Sequence, residues 1–274
     1  MLRRHPDAVL AAHLMDKTRR EVYVEGRRDR LFLTWLLASR MNANASVREI
    51  AAVELAEQER GERGRVLHFA DLLGDAEIQL RMFADADWDR VLAKSVPPRV
   101  WLTDTRDIEG YLLRAECLQK VLTLGLGTEA ITPAHLLDAV KKHGRQLGTL
   151  RLMSEIDSLK LPFQQTNLDR RLVAQGTNIV LNLENFLRAL LQNASISLTR
   201  FQDVRNRFNE VQAQYAGVPD SEIIHGKDAL VIITAALSKF GLDEKETTRL
   251  LWTSFEARFV QSGSTLESVM HFLE

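Results

Sequence analysis

The sequence predicts an α/β fold: a partly parallel sheet of about four strands flanked by helices, followed by an α-helical C-terminal region. Three observations carry the expectation. Short apolar strands alternate with helical patterns as far as about residue 120. Three of those strands end in carboxylates, as ligand-facing strand ends do in open α/β sheets. Beyond residue 121 the apolar spacing is helical throughout.

In order, residues 8–18 read as a short helix or arm, and Glu21 to Val24 as the first strand. Leu31, Phe32, Trp35, Leu36 and Ala38 recur at helical spacing, predicting a helix over 28–39. Val47, Ile50, Val53 and Leu55 fit either a strand or a helix end. Gly61-Glu62-Arg63-Gly64 reads as a loop before a helix over 65–73. Ile78, Leu80 and Met82 alternate with more polar neighbours, predicting a strand that runs into Asp85. Pro97-Pro98 introduces Val100-Trp101-Leu102, a third strand, and a helix is expected over 107–120. Helices are then expected over 133–143, 150–159, 178–191, 198–215, 228–240 and 244–259. The domain boundary is placed between 1–120 and 121–274, and no internal repeat or low-complexity tract is visible.

The 274 residues are 45% apolar, enough for one large domain or two modest ones with a sizeable core. No apolar run reaches the roughly 18 residues of a spanning helix, and no signal-type segment follows the start, so a cytoplasmic protein is expected. The single Cys117 rules out intramolecular disulfides and zinc ribbons or fingers built on several cysteines. A net charge of -1 means that nucleic acid, if bound, is held by a local basic patch.

The acids carry the chemistry. Val24-Glu25-Gly26-Arg27-Arg28-Asp29 is a strand end with a carboxylate, a glycine and a second carboxylate four residues on. Asp85-Ala86-Asp87-Trp88-Asp89 loads a second strand end, and Thr103-Asp104-Thr105-Arg106-Asp107-Ile108-Glu109 a third. Asp85 and Asp87 share a face while the backbone stays extended, and such neighbours repel unless a cation lies between them. Magnesium takes hard oxygen ligands of this kind. Glu25 can complete the ion's shell or move a proton, and Gly26 can allow a sharp turn and close approach of a phosphate. Each element has an ordinary reading too: Asp85-Ala86-Asp87 as turn chemistry, Asp29 as a first-turn acid, and Asp104 and Asp107 as cap and first-turn acid. Convergence of three strand ends favours the metal reading.

The order strand-E-G-x-x-D, then strand-D-x-D, resembles the toprim domain of topoisomerases, primases and the overcoming-lysogenization-defect nucleases. More narrowly, Asp85 to Asp89, the segment from Leu102 to Leu113, and Ile223-Ile224-His225-Gly226-Lys227-Asp228 resemble domain-of-unknown-function family 4435, whose members include nuclease effectors of anti-phage systems paired with an ABC-type ATPase. The match covers about 22–113 and one short stretch near Lys227. The resemblance implies that Glu25 is the toprim glutamate, that Asp85 and Asp87 are its metal pair, and that Asp29 and Glu109 join the metal site. It also implies Lys227 as a catalytic cation, with a solvated lysine at a helix start as the plain alternative. The glycine common after D-x-D in topoisomerase-type domains is replaced by Trp88-Asp89, and Tyr23, Tyr111 and Tyr215 have no strand-passage context.

Among basic and aromatic residues, Arg27, Arg28, Arg63, Arg65, Arg81, Arg90, Arg99 and Arg106 are candidates to flank the crevice and hold a nucleic-acid backbone, with Arg170, Arg171, Arg200, Arg205 and Arg207 as a second patch. Trp35, Trp101 and Trp252 are expected in the core, and Trp88 in an exposed loop. Helices 230–240 and 250–259 carry apolar surface suited to a dimer or ATPase interface. The expected function is a nuclease dependent on Mg2+ or Mn2+, acting on DNA or tRNA as the toxic effector of a defence system with an ATPase partner, and a homodimer when active. The alternatives are a non-catalytic toprim-like binding subunit of an ATPase complex and a housekeeping RNA-processing or recombination protein.

Overall fold

The computed structural model describes residues 3–38, 40–55, 61–175 and 178–274. Ser39, at the end of the expected second helix, and Met1 and Leu2, at the start of the chain, lie outside the described residues. In chain order the elements are α1 (Pro6–Met15), β1 (Arg20–Val24), α2 (Arg27–Leu36), β2 (Ala45–Glu49), α3 (Glu62–Leu73), β3 (Leu80–Ala84) and β4 (Val100–Leu102). Then follow α4 (Ala115–Lys120), α5 (Pro133–Ala139), α6 (Arg145–Ile156), β5 (Leu172–Gln175), β6 (Asn178–Leu181), α7 (Leu183–Asn193) and α8 (Phe201–Gln214). The last are α9 (Asp220–Ile223), α10 (Gly226–Leu237), α11 (Glu244–Ser254) and α12 (Thr265–Leu273).

The chain forms two compact units, the first made of Met1–Ile108 with Glu256–Glu274 and the second of Glu109–Phe255. The boundary expected at residue 120 thus falls near 108, and the C-terminal segment returns to the first unit. The reason is visible in α12, whose Leu266, Val269, Met270 and Leu273 are buried. It packs against β1 and β4. An apolar stripe of that width needs a sheet to cover it.

The first unit is built on a sheet of order β2-β1-β3-β4. All three pairings are parallel, where only a partly parallel sheet was expected. The chain leaves β1 toward β2 on one side, crosses back to β3 on the other, and continues outward to β4. α2 packs on β2 and α3 on β3, and the usual right-handed crossover of parallel strands puts such helices on opposite faces. Tyr23, Leu80, Met82 and Ala84 form a core with Val9 of α1 and Val66, Phe69, Ala70 and Leu73 of α3. Along β1 the alternate residues Val22 and Val24 are equally buried, the mark of a strand covered on both faces.

At the amino end of β1 the fully buried Glu21 is held by Arg19 (2.6 Å), Arg48 (2.6 Å), Arg4 (3.3 Å) and His13 (3.3 Å), and accepts the Tyr23 hydroxyl at 3.1 Å. Burial alone pushes its carboxyl up, but hydrogen bonds from His13 and Arg19 and the charge of Arg48 outweigh it and hold the group well below the usual carboxylate range. These arginines are therefore structural and leave the opposite, carboxyl end of the sheet for other chemistry.

The second unit is helical except for the antiparallel hairpin β5–β6, which replaces the start of the helix expected over 178–191. Isoleucine and valine at 179 and 180 favour the strand, and Asn182 then caps α7 by accepting the Asn185 amide. Leu230, Ile232, Ile233 and Leu237 of α10 and Leu251 of α11 are buried within this unit, together with Phe255. These apolar side chains, counted among those suited to a partner surface, are taken up by the core instead. Arg151 grips buried Asp228 with two 2.7 Å bonds.

Candidate metal centre

Adjacent parallel strands whose chains depart to opposite sides leave a crevice at their carboxyl ends. β1 and β3 are such a pair, and Glu25 and Asp85 are the residues that follow them. The Glu25 carboxylate accepts the Asp85 amide at 3.0 Å, tying the two strand ends together. Asp85 in turn accepts the Ile108 amide at 2.9 Å.

Asp29 lies in the first turn of α2 and accepts the Gly26 amide at 2.9 Å, closing the helix start. Gly26 is extended (φ -143°), a conformation any residue adopts, and an added Cβ would meet nothing closer than Asp29 Oδ2 at 3.9 Å. The sharp turn expected to require glycine is therefore absent. The left-handed residue is Asp87, with φ +46°, so Asp85 and Asp87 are not on one extended face. The amide of Asp87 donates to the Arg106 carbonyl at 2.8 Å, which fixes this turn.

Arg63 sits against the same turn. Its Nε donates to the Asp85 carbonyl at 3.1 Å and lies 3.2 Å from Asp87 Oδ2, while Nη2 binds buried Asp89. The loop expected at 61–64 is in fact the start of α3, so the side chain projects from a fixed first turn. Sequence reasoning counted Arg63 only among possible phosphate contacts. The missed signal was Gly61 before Glu62, an N-terminal glycine followed by a first-turn acid.

Glu25 is the electrostatic centre of the group. Burial pushes its carboxyl up to about 7, and the charges of Asp87 and Asp29 add to the rise against the Asp85 amide and Arg63. Glu25, Asp29, Asp85 and Asp87 thus lie near one another in the first unit. Asp104 does not join them: it accepts the Thr265 amide at 2.7 Å and the Leu266 amide at 3.1 Å, capping α12. The segment after β4 meets the crevice through the Ile108 amide on Asp85 and the Arg106 carbonyl on the Asp87 amide. Glu109 begins the second unit and is buried, and Lys227 is exposed in the first turn of α10.

The basic and aromatic expectations also change. Arg65, Arg90 and Arg99 donate to backbone carbonyls, and buried Arg106 stacks 3.5 Å over Trp88. Trp88 is 6% exposed, whereas Trp35, expected in the core, is 47% exposed. Arg27 and Arg28 remain exposed beside the crevice. In the second unit Arg205 pairs with Glu184 and Arg207 with Asp157.

The donor set of hard carboxylate oxygens suits a divalent ion. Among the described residues, however, no three His, Cys, Asp or Glu side chains are gathered as an ion's ligands. Each of these acids instead holds a protein donor, so binding an ion requires side chains to turn from those donors. No protein-family model and no curated protein matches the chain. Among the described residues, no helix is long and apolar enough to cross a membrane.

Proposed function

We propose that this protein is a toprim-like, divalent-metal-dependent nuclease. The observation that carries the reading is the meeting of Glu25 and Asp85 at the carboxyl ends of β1 and β3, where the strand order reverses. Asp85 and Asp87, with Glu25 and Asp29 beside them, are the residues that would hold Mg2+ or Mn2+. Such an ion polarises a phosphoryl oxygen and makes bound water a nucleophile. Without an ion Glu25 is held up to about 7; a divalent cation beside it would favour the carboxylate, which is the form able to take a proton from the attacking water. Exposed Arg27 and Arg28 supply charge for a phosphate backbone without reading bases. In the same proposal the active form is a homodimer, and an ABC-type ATPase holds the effector in check during anti-phage defence.

Purified protein incubated with supercoiled plasmid and with a tRNA pool, in Mg2+, Mn2+ or EDTA, tests this. Cleavage should need the metal and disappear in Asp85→Asn, with the circular dichroism spectrum unchanged. No cleavage of either substrate in any metal would remove the nuclease reading. A non-catalytic binding subunit is the second reading, favoured by the protein donor that each acid already holds, and it predicts oligonucleotide or ATPase binding that ignores the metal.

A further inference from the structure

The arginines that hold Glu21 at the amino end of β1 are more than the carboxylate needs. Its Oε1 accepts from Arg19 Nε (3.0 Å) and Nη2 (2.6 Å), from Arg48 Nε (2.6 Å) and from the Ser46 hydroxyl (3.3 Å). Its Oε2 accepts from Arg4 Nη2 (3.3 Å), the Tyr23 hydroxyl (3.1 Å) and His13 Nε2 (3.3 Å). A carboxylate offers about four acceptor positions, so one or two of these cations would already satisfy it. Three guanidiniums on one carboxylate leave two positive charges without a carboxylate partner among the described residues. The neighbouring acids are engaged elsewhere. Asp16 accepts the Thr18 amide at 3.0 Å and its hydroxyl at 2.7 Å, and Glu49, next to Arg48 on β2, lies 2.8 Å from Arg30.

Arg19 and Arg48 share Oε1, which sets two like charges side by side, and such a pair repels unless an anion lies between them. Among the described residues, no protein group accepts from Arg48 Nη1 or Nη2, Arg19 Nη1, or Arg4 Nε or Nη1. The side chains of Arg4, Arg19 and Arg48 are 27%, 27% and 32% exposed, so an anion from solvent can reach them. Arginine's planar fork matches phosphate oxygens. A terminal phosphate carries close to two negative charges at neutral pH, whereas each phosphate within a nucleic-acid backbone carries one. The dianion is the better match to two uncompensated guanidiniums.

We propose that Arg4, Arg19 and Arg48 form a binding site for a terminal phosphate group, carried by a free nucleotide or by the phosphorylated end of a nucleic acid, with Glu21 as the buried post that fixes the guanidiniums. The site lies wholly in the first unit, at the opposite end of β1 from Glu25, and needs no metal.

The test is calorimetric titration in EDTA with adenosine 5′-monophosphate, inorganic phosphate and adenosine. The monophosphate and inorganic phosphate should bind and adenosine should not. Arg19→Gln and Arg48→Gln should each weaken binding roughly 10- to 100-fold, the worth of a hydrogen bond to a charged group, and Arg48→Lys, which keeps the charge without the fork, should fall between. Fluorescence anisotropy of one oligonucleotide bearing a 5′-phosphate or a 5′-hydroxyl then separates the two sources. Tighter binding of the phosphorylated form assigns the site to a nucleic-acid end; equal binding of the two forms, with the monophosphate still bound, assigns it to a free nucleotide. Should the glutamine variants fail to fold, phenylglyoxal labelling of the wild type, mapped by mass spectrometry, gives a second readout. Adenosine 5′-monophosphate should protect Arg19 and Arg48 and leave exposed Arg170 as reactive as before. Absence of phosphate binding, equal affinity for adenosine and its monophosphate, unchanged affinity in both glutamine variants, or tighter binding of a poly-glutamate peptide overturns the proposal.

Discussion

Glu25 shows at the scale of one residue how burial and like charges turn a carboxyl into a group that titrates near neutrality. Its proton is held up to about 7, above the ordinary value of 4.5. A carboxyl raised in the folded state contributes stability that is fully present below the unfolded value and is lost as pH rises through the folded one. In EDTA the wild-type protein should therefore lose thermal stability between pH 5 and pH 8. Glu25→Gln, which cannot lose that proton, should gain on the wild type over this interval and show little advantage at pH 5. Parallel melting curves for the two proteins across the interval would contradict the buried, repelled carboxyl. Asp87 is the complementary case: it accepts a left-handed backbone, which costs a non-glycine residue roughly 1–2 kcal/mol, and is held there by the Arg106 carbonyl and Arg63.

Among the helices, two glycines carry opposite consequences. Gly148 lies in α6 against α9, and a Cβ there would stand 2.0 Å from the Ile223 carbonyl oxygen. Backbone cannot swing aside as a side chain can, so Gly148→Ala should cost about 1–3 kcal/mol, read as a lower denaturation midpoint. Gly26→Ala, by contrast, meets only the 3.9 Å neighbour and should leave the midpoint within about 0.5 kcal/mol. Equal midpoints for the two variants would show that α6 and α9 are not in the contact described. If Gly26→Ala also loses nuclease activity while keeping its stability, the position matters for the approach of substrate and not for the fold.

The whole first unit is closed by its C-terminal segment. Asp104, read from the sequence as a possible metal acid, caps α12 through two amides more than a hundred and fifty residues away. Asp104→Ala should lower stability by about 0.5–2 kcal/mol, the usual cost of a lost cap, while Mn2+ affinity stays at the wild-type value. Calorimetry and a Mn2+ titration followed by electron paramagnetic resonance check both halves. Loss of metal binding with unchanged stability would return Asp104 to the ion and remove it from the helix.

Local patterning was enough to predict β1, β3, β4 and most helices, because alternation and helical spacing are imposed by each element's own face toward the core, whereas β2 fitted a strand or a helix end and the β5–β6 hairpin and α12 were not foreseen. The glutamate and aspartate at the two strand ends were legible for the same reason: a residue at a strand's carboxyl end has its place fixed by the strand. Side-chain partners were not legible. The acids after β4 read like those after β1 and β3, and only the return of α12 turned Asp104 into a cap. The arginines looked like one basic patch, yet their geometry sends several to backbone carbonyls and Arg63 to the Asp87 turn. Trp35 and Trp88 exchanged their expected environments because helical spacing records an apolar side chain without recording whether another element arrives to cover it. Strand and helix signals are local; burial, capping and ion pairing are relations between segments distant in the chain, and only tertiary packing decides them.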